Sequence, residues 1–392
     1  MTTTEPVVGR LGGDFLAQAF RRRHHIFPGE SADVAGLLSW QDLNEILAAQ
    51  RLESPRLRLA VGGTALDQGA YTTAINSRRG VRWHRLNTGE LSQRLAEGAT
   101  LVVDAIDEMH PPIRRLAAAL EEMFHTSAQA NVYASWRPES GFRTHWDDHD
   151  TIIVQLDGAK RWRLFGLTRL APLHRDIELP EEPAGEPIDE FVLTAGDVLY
   201  VPRGHWHDVA AVPGQHSLHL TFGLGVATGV DLLAFLADEL REAQLFREDL
   251  PILSDSAEQE GWLERFRKQL IAELERPDLL LRFAAYADGT EPARTGPSLP
   301  FVDGVPAEAT LTVRLLAPRA LLHESEEQHV LFEAGGQCWT FAASAWGALE
   351  ALSDGEPWSM GELAHLSGLT VEDVAGLAGE LVGHGVAQVL PG

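Results

Sequence analysis

Between residues 130 and 224 the sequence abandons helical spacing. Six short segments, 130–136, 142–156, 160–165, 191–193, 197–202 and 216–224, are rich in β-branched and aromatic residues and divided by Gly or Pro. Many short strands at such spacing bury their alternate residues by closing on themselves or stacking as two sheets. The stretch therefore predicts a barrel or a double-sheet jelly roll. The acidic, proline-bearing interval 175–190 predicts an exposed loop between two of the strands.

The flanks of this stretch read differently, and 392 residues exceed one ordinary domain. Upstream, helices are expected at 14–25 and from Ser39 (as N-cap) through 47, a strand at 101–103 and an amphipathic helix at 111–124. Downstream, one apolar stripe comprises Leu232, Leu233, Phe235, Leu236, Leu240 and Leu245, and a second comprises Trp262, Phe266, Leu270, Leu274 and Leu279. They predict two long helices over 228–288 with faces wide enough to pair with each other or with a second chain. A Pro/Gly-rich linker, 291–306, follows. Strands at 309–316, 328–334 and 337–341, helices at 343–352, 359–366 and 370–383 (Ser359 and Thr370 as caps) and a last strand at 386–390 then suggest a winged helix.

Charge restricts what these parts can bind. The balance of 32 basic and 57 acidic residues leaves −25, which disfavours nonspecific binding to nucleic acid or anionic membrane and favours a basic or neutral partner. Beyond Arg319 there is no Lys or Arg against eleven Asp and Glu, so the winged-helix segment lacks the cations that DNA binding needs. The run Arg21-Arg22-Arg23-His24-His25 reads as a solvated helix end rather than a nucleic-acid patch. A lone Cys338, no apolar run near membrane-spanning length and no signal-like start point to a soluble protein of the cytoplasm.

Inside the strand-rich stretch lies Thr144-His145-Trp146-Asp147-Asp148-His149-Asp150. On a strand, His145, Asp147 and His149 share one face. An imidazole and a carboxylate two residues apart on an inner wall are two-thirds of a 2-His-1-carboxylate triad, which holds one face of Fe(II) and leaves three positions open. The third ligand would come from a facing strand near Pro202-Arg203-Gly204-His205-Trp206-His207, where periodicity leaves His205 and His207 as alternatives. Lys160 also stands out, because Lys160 and Lys268 are the only lysines in an arginine-rich chain.

These residues, with Asn131-Val132-Tyr133, Gly141-Phe142-Arg143 before the His-Trp-Asp-Asp run, Gln155-Leu156-Asp157-Gly158-Ala159-Lys160-Arg161-Trp162-Arg163-Leu164 and His216-Ser217-Leu218-His219-Leu220-Thr221, resemble the JmjC-domain ribosomal oxygenases of the cupin superfamily. So do Gly98-Ala99-Thr100-Leu101-Val102-Val103 and His110-Pro111-Pro112. The resemblance implies an α+β chain: a double-stranded β-helix (jelly-roll) barrel within 1–226, a helical dimerisation region and linker at 227–306, and a winged helix at 307–392. It implies Fe(II), O2 and 2-oxoglutarate as cofactor and co-substrates. It makes His145, Asp147 and His207 the iron ligands, and assigns the 2-oxoglutarate to Lys160, Tyr133, Asn131 and Thr221. His205 is left to flank the site, contact substrate or sit at its rim; His149 is left to the surroundings of the metal, and His216, His219 and the tryptophans to core or supporting roles.

The activity so implied is hydroxylation of a side chain, Arg or His first, in a basic ribosomal protein, by a homodimer. The alternatives are a small biosynthetic peptide as substrate, a non-redox cupin metal enzyme, or a metal-binding module without turnover. Histone-lysine demethylation is less expected, since nothing resembles a chromatin-reading module. Lys160 with Tyr133 and Asn131 separates the readings, because a simple metal site has no use for a carboxylate anchor.

Overall fold

The computed structural model describes residues 5–76, 78–80, 82–139, 141–176, 185–299, 301–324 and 329–390. The chain divides into two compact units, Met1–Val226 and Ala227–Gly392, and its architecture is mixed α+β.

The first unit contains β1 (His25–Phe27), β2 (Leu57–Val61), β3 (Thr64–Ala65), β4 (Thr72–Asn76), β5 (Arg82–Leu86) and β6 (Thr100–Val103). After the helix Pro111–Phe124 come β7 (Ala128–Ser135), β8 (Asp150–Leu167), β9 (Asp189–Thr194), β10 (Val198–Val201), β11 (His205–Ala211) and β12 (Ser217–Leu224). The long β8 organises the rest. Its first half pairs with β10 and β12, and its second half with β9 and β11, all antiparallel.

Alternation along β8 divides two environments. Ile152 and Val154 enter the main core with Ile113, Leu116 and Leu120 of the preceding helix, whereas Ile153 packs with Trp162, Leu164 and Leu199 on the other side. The phase then changes. Gly158 has φ +65°, and the pairing with β12 shifts register between Leu218 and His219. This bulge turns Lys160 and Trp162 to the face that Thr151 and Ile153 occupy.

Several expectations need correction. The helix expected at 14–25 ends at Gln18, and His25 opens β1, paired with Tyr200. The aromatic cluster of Phe15, Phe20, Phe27 and Tyr200 sets this turn, with Arg21 in the left-handed region donating its N–H to the Tyr200 hydroxyl at 2.8 Å. The segments 142–156 and 160–165 are not two strands, because regular pairing begins at Asp150 and runs unbroken to Leu167. β11 falls outside the expected strands. Of the expected loop 175–190, residues 177–184 lie outside the described residues and Asp189 already belongs to β9. The Ser39-capped helix stands, with a reciprocal capping box to Asp42, as do the strand at 101–103 and the helix Pro111–Phe124.

In the second unit the two long helices become three principal ones, Gly229–Glu239, Ser256–Leu274 and Leu279–Thr290. Pro277 lies between the last two, where a continuous helix would lose a hydrogen bond. Phe235, Leu236 and Leu279 bury one another, while Leu233, in the same expected stripe, is 57% exposed. Residues 291–299 and 301–306 are irregular. Two three-stranded sheets follow. One orders Trp358–Ser359, Thr312–Leu315 and Ala387–Leu390; the other is Leu321–Glu324, His329–Ala334 and Gln337–Ala342, its first strand unforeseen. Ser359 and Thr370 cap Met360–Ser367 and Val371–Gly383 through capping boxes with Glu362 and Asp373. Buried Arg319 pairs with buried Asp288, tying this part to the helix Leu279–Thr290.

Candidate metal centre and its cavity

His145 and Asp147 do not reach the site by strand alternation. Residues 142–149 lack regular pairing, and His145 forms a single antiparallel bridge with His207: its N–H donates to the His207 carbonyl at 3.1 Å, and the His207 N–H donates back at 2.7 Å. Gly204 N–H donates to the Asp147 carbonyl at 2.8 Å. Gly204, at φ +81°, allows the tight turn that brings β11 back beside this segment. The expected strand fails here because the polar run commits its backbone groups to such single hydrogen bonds instead of a ladder.

One ligand atom from each of His145, Asp147 and His207 lies within 4.8 Å of the others. The His145 Nε2 is 4.0 Å from Asp147 Oδ1, and the His207 Nε2 is 3.7 Å from Asp147 Oδ2. In each imidazole the second nitrogen is already engaged: Nδ1 of His145 with the Arg143 carbonyl at 2.8 Å, and Nδ1 of His207 with the His205 carbonyl at 3.0 Å. A carbonyl only accepts, so Nδ1 carries the proton and the Nε2 lone pairs face the carboxylate. Burial, reinforced by the neighbouring His145, holds the His207 pKa well below the ordinary histidine range and keeps the ring neutral, as a ligand must be.

His205 is separated from His207 by a break in the β11 register and engages the Pro202 carbonyl through Nδ1 at 3.2 Å. His149 contacts Asp148 at 2.9 Å, and His216 contacts Asp157 at 2.7 Å. None of these three lines the cavity.

That cavity, of about 100 Å³, extends from the triad between β8, β11 and β12 and is lined also by Thr100, Tyr133, Phe142, Thr151, Ile153, Lys160, Trp162, Val209, His219 and Thr221. Lys160 is buried, donates to the Ser135 hydroxyl at 2.7 Å, and has its pKa pushed down to about 8 by burial. Burial, and then the Asp147 charge, push the Tyr133 phenol up to about 12, so it remains a donor. Asn131 is not part of the lining; its amide oxygen accepts the Ala105 N–H at 3.0 Å.

Three more lining residues carry a buried polar atom without a hydrogen-bond partner: Thr100 Oγ1, Trp162 Nε1 and His219 Nδ1. Unpaired buried polar groups are destabilising, and three around one cavity suit a polar ligand. His219 stacks on Tyr133 at 5.0 Å, and burial followed by the Lys160 charge keeps it neutral. Sequence reasoning misses this trio as site residues. The signal is present: Trp162 stands two residues after Lys160 and His219 two before Thr221, each on its neighbour's face of the strand.

The three side chains form a cluster able to hold a metal ion, set within a sheet of antiparallel strands. Residues 106–232 match the family described as the JmjC domain. Among its relatives, a bifunctional lysine-specific demethylase and histidyl-hydroxylase NO66 from Drosophila mojavensis is 38% identical over 122 residues, covering 29% of this chain and 13% of the relative. Ribosomal oxygenase 1 from Gallus gallus is 30% identical over 196 residues, 49% of this chain and 31% of the relative. The chain thus matches less than a third of the length of either of these curated relatives. Among solved structures, Escherichia coli ycfD aligns with a TM-score of 0.61 at 16% identity, covering 96% of this chain and 97% of that one. Another structure of YcfD, described as a ribosomal oxygenase in complex with cobalt and 2-oxoglutarate, aligns with a TM-score of 0.57 at 18% identity over the same shares. The shared fold is that of YcfD.

Proposed function

We propose that this protein is an Fe(II)- and 2-oxoglutarate-dependent oxygenase that hydroxylates a side chain, Arg or His first, of a ribosomal protein. One observation carries the reading. A 2-His-1-carboxylate cluster and a buried ammonium open into the same cavity, which also holds three unpartnered polar atoms. A non-redox metal module explains the triad but not the buried charge, which is costly unless a counter-charge arrives.

The donor set fits a divalent iron, with two neutral imidazoles and a carboxylate on one side and room opposite. The buried residues fit a dicarboxylate: Lys160 for the far carboxylate, with Tyr133 and Thr221 as hydroxyl partners and His219, Thr100 and Trp162 beside them. Asn131 keeps its assignment from the family pattern, acting next to Tyr133 on β7. When bound, iron and 2-oxoglutarate supply the oxidative chemistry, in which O2 is consumed, the co-substrate becomes succinate and CO2, and one oxygen reaches the target C–H bond. The chain's own share is to hold the two imidazoles in one tautomer through the Arg143 and His205 carbonyls, to clamp a carboxylate with Lys160, and to exclude water with Phe142, Ile153, Trp162 and Val209.

The −25 net charge supports a cationic target by steering its approach, and the ribosomal-oxygenase name of the relatives and of the YcfD structures agrees with a basic ribosomal protein. The pairing of β8 with two strand pairs supports a jelly-roll barrel within 1–226. The helix order and sheet of 307–392 support a winged helix, which its lack of Lys and Arg after Arg319 makes unsuited to DNA. Exposed Leu280 (70%) and Leu281 (75%) support a dimerisation region at 227–306. No helix among the described residues is long and apolar enough to cross a membrane, and a single exposed Cys338 suits the reducing cytoplasm.

Mass spectrometry of ribosomal proteins and small peptides from cells with and without this protein tests the reading. A protein-dependent +16 Da shift on a ribosomal protein, with 2-oxoglutarate-dependent succinate release by the purified chain, is the expected result. The same shift on a small peptide would move the substrate to the biosynthetic alternative. Loss of methyl groups from lysine would point to the demethylase half of the NO66 name, and metal binding without succinate release would leave a metal-binding module.

A further inference from the structure

The strong negative charge of the chain conceals a basic, aromatic-bearing hairpin far along the sequence from the triad. β4 and β5 pair antiparallel with Ile75 opposite Trp83 and Thr73 opposite Arg85. Over residues 72–86 the sequence has four arginines and no acidic residue. Arg78 and Arg79 lie at the hairpin tip and Arg82 and Arg85 on β5, and all four side chains are exposed. Trp83 and Arg85 share one face of β5, and the Arg51 guanidinium lies over the Trp83 ring at 4.1 Å from its centroid. Beside this stack is a cavity of about 440 Å³ lined by Arg51, Trp83, His84 and Arg85 together with the apolar end of the helix Trp40–Ala49.

Some other arginines of the first unit pair with carboxylates, as Arg58 does with Asp104 and Arg163 with Asp208, whereas Arg114 and Arg203 donate to backbone carbonyls. Among the described residues, no carboxylate lies within ion-pairing distance of Arg51, Arg78, Arg82 or Arg85. One carboxylate borders the hairpin, Glu53, which accepts the His84 N–H at 3.1 Å. Negative charge more than about 8 Å away is largely screened at physiological salt, so the four arginines act mainly by their local charge rather than by the net −25.

We propose that this hairpin docks single-stranded RNA. The hairpin arginines would neutralise successive phosphates while a base enters the cavity against the Arg51–Trp83 stack. An acidic peptide satisfies the cations but leaves the aromatic stack and cavity without a use; a nucleotide strand uses all three. The choice of RNA as the strand rests on the ribosomal-substrate reading, whereas the docking surface stands on its own residues.

The test is fluorescence anisotropy of a labelled 12-nucleotide oligouridylate with the full chain across a salt series. Micromolar affinity at 50 mM KCl is expected, falling with salt. The Arg82→Gln/Arg85→Gln double variant should flatten the log K against log salt slope by about 1.4, about 0.7 for each phosphate no longer neutralised. Trp83→Leu should weaken binding about 5-fold or more with the slope unchanged. Thermal melts confirm that the variants are folded, and Arg78→Gln, at the tip, supplies a substitution with minimal folding risk and an expected slope change of about 0.7. No binding, an unchanged slope in folded arginine variants, or displacement by polyglutamate as effective as by unlabelled RNA would overturn the proposal. The oxygenase reading is separable: Lys160→Ala should retain RNA binding, and Arg82→Gln/Arg85→Gln should retain 2-oxoglutarate turnover.

Discussion

Replacing Lys160 by Met removes the charge from the cavity while keeping most of the side-chain volume. In the folded chain Lys160 is only 4% exposed, and the Ser135 hydroxyl accepts a hydrogen bond from its ammonium. Burial holds its pKa at about 8 against 10.5 for a free lysine, a difference that destabilises the fold by roughly 3 kcal/mol at neutral pH. The unfolded chain therefore binds more protons between about pH 8 and 10.5, and the protein gains stability as pH rises through that window. Lys160→Met should then melt no lower than the parent at pH 7, and its Tm should lose that pH dependence. A carboxylate arriving in the cavity reverses the balance, because a charge-assisted hydrogen bond is worth about 1.5–3 kcal/mol. The variant should bind 2-oxoglutarate about 10- to 150-fold more weakly, measured by calorimetry on the metal-loaded protein. In the parent the dissociation constant should rise about tenfold per pH unit above pH 8, as the free lysine loses its proton. Unchanged affinity in a folded Lys160→Met protein, or affinity flat from pH 7 to 9.5 in the parent, would refute the anchoring role.

Asp147→Ala and His207→Ala should remain folded but lose stoichiometric Fe(II) or Mn(II) binding and all succinate release, whereas His205→Ala should keep the metal; the reverse pattern would name His205 as the distal ligand. At Gly158, with φ +65°, an added Cβ would sit 1.9 Å from the His216 carbonyl, so Gly158→Ala should lower stability by about 2 kcal/mol or more in a denaturant titration. Asp288→Ala removes the nearer of two carboxylates from buried Arg319, with Glu291 remaining at 3.7 Å, and should cost about 1–3 kcal/mol in unfolding of the second unit. Sedimentation should show a dimer at micromolar concentration that Leu281→Glu dissociates without loss of melting temperature; Leu236, buried within its own helices, would instead report on folding.

The residues with chemistry in them, and most of the regular elements, can be read from the order of the amino acids alone. The caps Ser39, Ser359 and Thr370, the helix Pro111–Phe124 and the strands at 101–103 and 216–224 are local decisions, made by a hydroxyl over an N-terminus or a period of side chains, and these were legible. So were His145, Asp147, His207 and Lys160 as candidates, though choosing between His205 and His207 needed the family pattern. Tertiary structure decided how they meet. The His145–His207 bridge, not strand alternation, brings the triad together, and it links residues 62 positions apart that no period can relate. The bulge at Leu156, just before left-handed Gly158, switches which parity of β8 faces the cavity, so Thr151 and Ile153 join Lys160 and Trp162 on one wall. Burial then does what composition cannot foretell: it lowers the Lys160 pKa, keeps His207 and His219 neutral and strands three polar atoms without partners. Each effect depends on what surrounds a group in space, a property of the packed chain rather than of any segment.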